Sequence, residues 1–175
     1  MNLEAAPARR TTWRPAVFAC LMLLAACAQA QFTYVTNNGT ITITGFAGFS
    51  NSASIPSTIN GRLVTAIGSD AFNKHTMLKD VTIPYSVTNI GSPAFSGCTG
   101  LGKVTFGNSI TSIGSGAFEE CASLTSALFQ GNAPSVNGGA GSADRSVFAG
   151  ESGTVYYLPG TTGWASTFGG WPTAL

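Results

Sequence analysis

The chain has 175 residues, 44% of them hydrophobic and only 9% charged, and its formal net charge is +1. That length suits one domain with its own core. A charge this small and scattered excludes the basic cluster that nucleic acid or an anionic membrane surface would require.

The first thirty residues read as a leader. Arg9, Arg10 and Arg14 make a basic start, Ala16 to Ala26 is an apolar run, and Ala28-Gln29-Ala30 has the small-x-small form of a cleavage site. That order is a secretory signal peptide. The run is too short to cross a bilayer, which takes about 20 residues, and no second long apolar run follows, so no transmembrane anchor is expected. Leu24-Ala25-Ala26-Cys27 also resembles a lipobox, which would make Cys27 a lipidated N-terminus. Cleavage after Ala30 would leave residues 31–175, with Arg62, Lys74, Lys79, Lys103 and Arg145 set against Asp70, Asp80, Glu119, Glu120, Asp144 and Glu151.

Residues 31–54 come next. Phe32 to Phe46 alternates aromatic, β-branched and polar residues on both sides of Asn37-Asn38-Gly39, which predicts a β-hairpin. Its place ahead of a repetitive array suits a capping role. Ala47 to Ala53 is a small-residue loop, Ser54-Ile55-Pro56 ends a first rung, and Asn60-Gly61 turns the chain into Arg62-Leu63-Val64.

From Val64 to Phe129 one pattern is written three times with a step of 23 residues. Val64, Val87 and Ile110 fall in one column; Ile67, Ile90 and Ile113 in another. So do Gly68, Gly91 and Gly114; Ala71, Ala94 and Ala117; Phe72, Phe95 and Phe118; Leu78, Leu101 and Leu124. A period in the twenties means a solenoid, in which each unit buries its apolar edge only against the next. Within a unit, Leu78 to Pro84 reads as a strand with Val81 and Ile83 facing one way and Thr82 the other. Val87 to Ile90 is a second extended segment, and Ser92 to Cys98 a brief helical or 3₁₀ turn that carries Ala94 and Phe95 inward.

Phe129 and Val136 continue the period, which a Gly-rich insertion then interrupts at 137–144. Ser146-Val147-Phe148 recovers the Phe column, and Thr154 to Pro159 supplies a last rung whose Leu158-Pro159 matches Ile83-Pro84. Residues 160–175, with Trp164, Phe168 and Trp171 among Gly and Thr, read as a C-terminal aromatic cap.

The unit from Leu78 to Gly100, with Leu-x-x-Val-x-Ile-Pro, then Val-x-x-Ile-Gly, then Ala-Phe-x-x-Cys, resembles the BspA-type leucine-rich repeat of secreted bacterial proteins over residues 55–159. The resemblance implies an α/β fold: a right-handed leucine-rich-repeat solenoid with short parallel strands on one face. It also implies a surface role in adhesion or protein–protein contact. Two positions depart from the pattern, His75 standing for Cys and Phe106-Gly107 for Ile-Pro.

Chemistry is hard to find in these residues. His75 is the only histidine and falls in the column of Cys98 and Cys121. A triad through it with Asp70 or Asp80 lacks a nucleophile elbow. Glu119 and Glu120 are sequence neighbours on a turn and point apart, unlike the facing carboxylates of glycoside hydrolysis. Gly138 to Asp144 is close to the calcium-binding nonapeptide, but its Asp is displaced and it occurs once. Asn38-Gly39-Thr40 fits a glycosylation sequon that the hairpin turn already explains. Two cysteines and one histidine do not make a zinc set, and no cofactor is expected. On adjacent rungs about 4.8 Å apart, Cys98 and Cys121 are either buried thiols or a rung-to-rung disulfide.

What remains is a surface. The outward columns of the strand sheet are Thr82, Thr105, Leu128 and Tyr157; Asp80, Lys103 and Ser126; and Tyr85 with Asn108. Asp80 and Lys103 are read as a surface ion pair. These columns are the candidate binding face for an extracellular or cell-surface protein, or for a glycan, on a secreted or surface-held chain. A self-associating envelope component is the alternative reading.

Overall fold

A computed structural model describes residues 30–136, 139–140, 147–150 and 152–175. The leader expected at 1–30, Cys27 within it, and most of the Gly-rich insertion lie outside the described residues. The compact unit is Gln31–Leu175.

Its chain runs β1 (Phe32–Asn37), β2 (Thr40–Phe46), β3 (Ser52–Ser54), β4 (Thr58–Ile59), β5 (Arg62–Ile67), β6 (Asp80–Ile83), β7 (Asn89–Ile90), β8 (Lys103–Phe106), β9 (Ser112–Ile113) and β10 (Ser126–Phe129). It continues through β11 (Ser135–Val136), β12 (Gly139–Ala140), β13 (Thr154–Tyr157), β14 (Thr167–Phe168) and β15 (Trp171–Ala174). Among the described residues these build two sheets. One has eight strands in the order β1-β2-β5-β7-β9-β11-β12, with β4 paired to β5; the other has seven, ordered β14-β15-β13-β10-β8-β6-β3.

The repeat fixes both sheets. Val81 pairs with Val104 and Val104 with Ala127, parallel, while Ile67 pairs with Ile90, Ile90 with Ile113 and Ile113 with Val136. Each step is the 23-residue period, so every turn of the chain adds one strand to each sheet. The inward residues of the two sheets meet in a core that holds the five apolar columns of the sequence, the glycine column lying outside it. Phe72, Phe95 and Phe118 stack face to face, with ring centroids 4.6 and 4.9 Å apart. Phe46 and Phe148 extend that ladder at its two ends.

The hairpin forms where the alternation places it. β1 and β2 pair antiparallel around Asn38 and Gly39, both at positive φ, as the tight hairpin turn demands. Two insertions of equal length interrupt the period. Ile55 bonds beside Thr82 one rung away, and the five extra residues before Val64 fold into the antiparallel β4–β5 turn. The second, in the Gly-rich stretch, moves the step from Phe129 to Tyr157 to 28 residues.

One expectation is corrected. Ser92 to Cys98 is a run of turns, and among the described residues there is no helix, so the α in α/β does not hold there. The reason lies in the hydrogen bonds. Phe95 N–H donates to Ala117 and Gly97 N–H to Glu119 on the next rung, while Ala94, Ser96 and Cys98 bond three residues back. A helix would need every donor for its own turn; here every second one is used to hold the neighbouring rung.

Candidate binding face

The strand sheet carrying β6, β8, β10 and β13 turns one residue in two toward solvent, by the alternation of a pleated strand. Its first outward column is Ser52, Asp80, Lys103, Ser126 and Thr154, all in register. Asp80 and Lys103 are exposed cross-strand neighbours, but among the described residues no ion pair closes between them. Tyr85 and Asn108 lie exposed in the turns that follow β6 and β8.

The second column is Ser54, Thr82, Thr105, Leu128 and Tyr156. Tyr157 does not belong to it. Tyr157 pairs with Phe129, is half-buried, and stacks on Trp164 at 5.1 Å with ring planes 6° apart. Matching Leu158-Pro159 to Ile83-Pro84 shifts the strand by one residue, and a one-residue slip exchanges the two faces. The position of Ile83 is taken by Tyr157, and Leu158 stands 43% exposed. The signal that gives the true register is Val155: set on the column of Val104 and Ala127, it carries Tyr157 onto the aromatic column of Phe106 and Phe129.

With Tyr156 in place, the face is graded rather than uniform. Its early rungs present Ser, Asp and Thr. Its late rungs present Leu128, Tyr156 and Leu158 around a shallow recess of about 310 Å³, with Lys103 and Ser126 at its edge. The recess is mainly apolar, so it can exclude water from an apolar side chain, and the surrounding hydroxyls and the ammonium can orient a polar neighbour.

The residues considered for chemistry are dispersed. His75 sits in the Cys column, with its ring 5.4 Å from Phe46 and 6.2 Å from Phe72, and burial pulls its pKa below the usual 6.5. Asp70 accepts from Asn73 Nδ2 at 2.7 Å, a local turn contact. Glu119 and Glu120 are exposed. The structure holds Cys98 and Cys121 as buried thiols. Cys98 Sγ donates to the Phe72 carbonyl at 3.0 Å and Cys121 Sγ to that of Phe95 at 3.2 Å. The Cys121 side chain and the His75 backbone hold the Cys98 thiol below its ordinary range, against burial, which pushes it up. Among the described residues no three His, Cys, Asp or Glu side chains gather where they could hold a metal ion.

A family model described as "BspA type Leucine rich repeat region" matches in 6 copies over residues 25–141. Among solved structures, a leucine-rich repeat protein of T. pallidum is 25% identical with a TM-score of 0.56, covering 74% of this chain and 70% of that one. A leucine-rich repeat protein of Bacteroides capillosus is 27% identical with a TM-score of 0.59, covering 73% and 94%. A leucine rich cell surface protein of Faecalibacterium prausnitzii is 27% identical with a TM-score of 0.54; it covers 75% of this chain, but only 36% of its own length is matched. Among curated proteins none matches.

Proposed function

Because this chain belongs to the BspA-type leucine-rich repeat family, we propose that it is an exported protein-interaction or adhesion module that works through its strand face. Binding, not catalysis, is the activity assigned. The partner is an extracellular or cell-surface protein, with a glycan as the second candidate. The observation that carries this reading is the outward wall of β6, β8, β10 and β13, whose columns end in the recess around Leu128 and Tyr156. Parallel rungs spaced roughly 4.8 Å apart make a rigid, repetitive surface suited to extended contact. Asp80, Thr82, Tyr85, Lys103, Thr105, Asn108 and Leu128 supply it, together with Tyr156.

In this reading the solenoid is right-handed, the β1–β2 hairpin closes one end, and residues 160–175 close the other. The leader directs export, and the protein acts outside the cell or on its surface. A cell-surface relative of the same fold supports that location. Intact mass of the exported form tests it: an N-terminus at Gln31 fits signal cleavage, whereas a lipid mass on Cys27 fits a tethered form.

The face is tested by Thr105→Glu combined with Tyr156→Glu. Both positions point outward, so thermal unfolding should be unchanged while retention on immobilised surface proteins and on a glycan array is lost. Undiminished retention on both would remove the strand face from consideration.

A second reading, self-association, has one observation in its favour. Among the described residues β1 pairs only with β2, and its sequence, FTYVTN, has neither charge nor proline to blunt the outer edge. Sedimentation at rising concentration decides it; a strict monomer rejects it.

A further inference from the structure

The start of the array contains a second recess, on a different part of the molecule from the strand face. Ile43 pairs with Ile67 and Ala53 with Val81, so ten steps of chain in the hairpin layer span what takes fourteen in the first full rung. The shortened turn keeps a partner for Phe72, namely Phe46 at 5.2 Å, and the same ring reaches His75 at 5.4 Å. Thr76 and Met77 are left exposed beside it. A recess of about 350 Å³ opens there, between residues 46–50 and 74–78.

Its lining has a consistent chemistry. Phe46 lines the recess but is itself only 7% exposed, and Gly48 brings the loop so close that a Cβ there would lie 2.3 Å from its ring. Phe49 and Met77 stand at the rim, 92% and 60% exposed. The polar groups include Lys74 and His75, and no carboxylate lines the recess. The period would place Phe49 beneath Phe72, yet Phe46 takes that place and leaves Phe49 in solvent. Exposing a large aromatic and a methionine is unfavourable by the area they leave in water, and a ligand that covers both recovers it.

We infer that this recess binds a small aromatic carboxylate, its ring against Phe49 and Met77 and its carboxylate toward Lys74 and His75. The volume lies in the range of small-molecule sites, which are mostly apolar with a few polar groups that set orientation. The lone ammonium and the lack of acidic neighbours select the sign of the ligand. This site stands independently of the strand-face reading.

Met77 provides the readout, since the other two methionines are Met1 and Met22 in the leader. The full chain is labelled at its methionine methyl groups, Met77→Leu identifies the resonance, and phenylacetate, phenylacetamide and phenethylamine are titrated in turn. Phenylacetate should shift the Met77 methyl saturably and bind about tenfold more tightly than the amide, the scale of one charge-assisted hydrogen bond; the amine should be weakest. Lys74→Gln, which keeps the aliphatic stem, should erase the preference for phenylacetate. Leu128→Asp on the strand face should leave the titration unchanged, so the two sites can fail separately. No saturable shift with phenylacetate, equal binding of the amide, or an undiminished preference in Lys74→Gln would each overturn the proposal.

Discussion

Phe95 is covered on both faces, by Phe72 at 4.6 Å and Phe118 at 4.9 Å, and is fully buried. Its removal deletes two stacking contacts and leaves a cavity between rungs that backbone hydrogen bonds prevent from closing. Phe95→Ala should therefore destabilise the protein by about 3–5 kcal/mol, measured by urea unfolding; a loss below about 1 kcal/mol would mean the ladder relaxes around the gap. His75 behaves differently, because what matters there is charge. Burial disfavours its protonated form, so the unfolded chain binds that proton more readily than the folded one. The stabilising effect is present above the ordinary pKa of 6.5 and is lost as pH falls below it. His75→Gln should flatten the dependence of unfolding free energy on pH between about 7.5 and 5.5; an unchanged slope would assign it to other groups.

Among the elements, the turns do as much as the strands. The glycine at the end of each second strand sits at a close approach of two rungs. A Cβ on Gly91 would lie 2.8 Å from Ser69 N, and one on Gly114 2.6 Å from Ser92 N. These neighbours are backbone, and they cannot swing away as a side-chain tip can. The column exists for space, which explains why it keeps the period as strictly as the phenylalanines. Gly91→Ala should push two rungs apart at a cost of about 1–3 kcal/mol, seen as a lower thermal midpoint. A neutral result would show that the stack tolerates local widening.

For the molecule as a whole, the chief consequence of stacking is that each rung depends on its immediate neighbours and the ends are the weak points. At the C-terminal end Trp171 stacks on Phe148 at 4.2 Å, and Trp164 packs on Phe129 and Tyr157, each at 5.1 Å. Trp171→Ala should raise amide exchange in β13 and β15 by more than about tenfold and leave β6 and β8 close to unchanged. A uniform rise across all four would mean that the whole stack opens as one unit. The same dependence on neighbours explains why the two recesses lie where they do. One forms where a shortened turn fails to cover the first rung, and the other where the outward column changes from Thr105 to Leu128 and Tyr156.

The sequence alone determined the repeat, the inward columns, the pairing of β6, β8 and β10, and the hairpin, because a 23-residue step and a two-residue alternation are properties of the chain itself. Tertiary structure decided what those periods leave open. Whether Ser92 to Cys98 coils or bonds sideways depends on a rung 23 residues away, which offers its carbonyls to alternate donors. The register of β13 depends on which of its residues meets Ala127 on the neighbouring rung, and one residue there exchanges Tyr156 for Tyr157 on the outer face. The recess beside His75 depends on two chain lengths that can be compared only once Ile43 is seen to pair with Ile67 and Ala53 with Val81. In each case a local pattern sets the period, and the fit against the next turn of the chain sets the position.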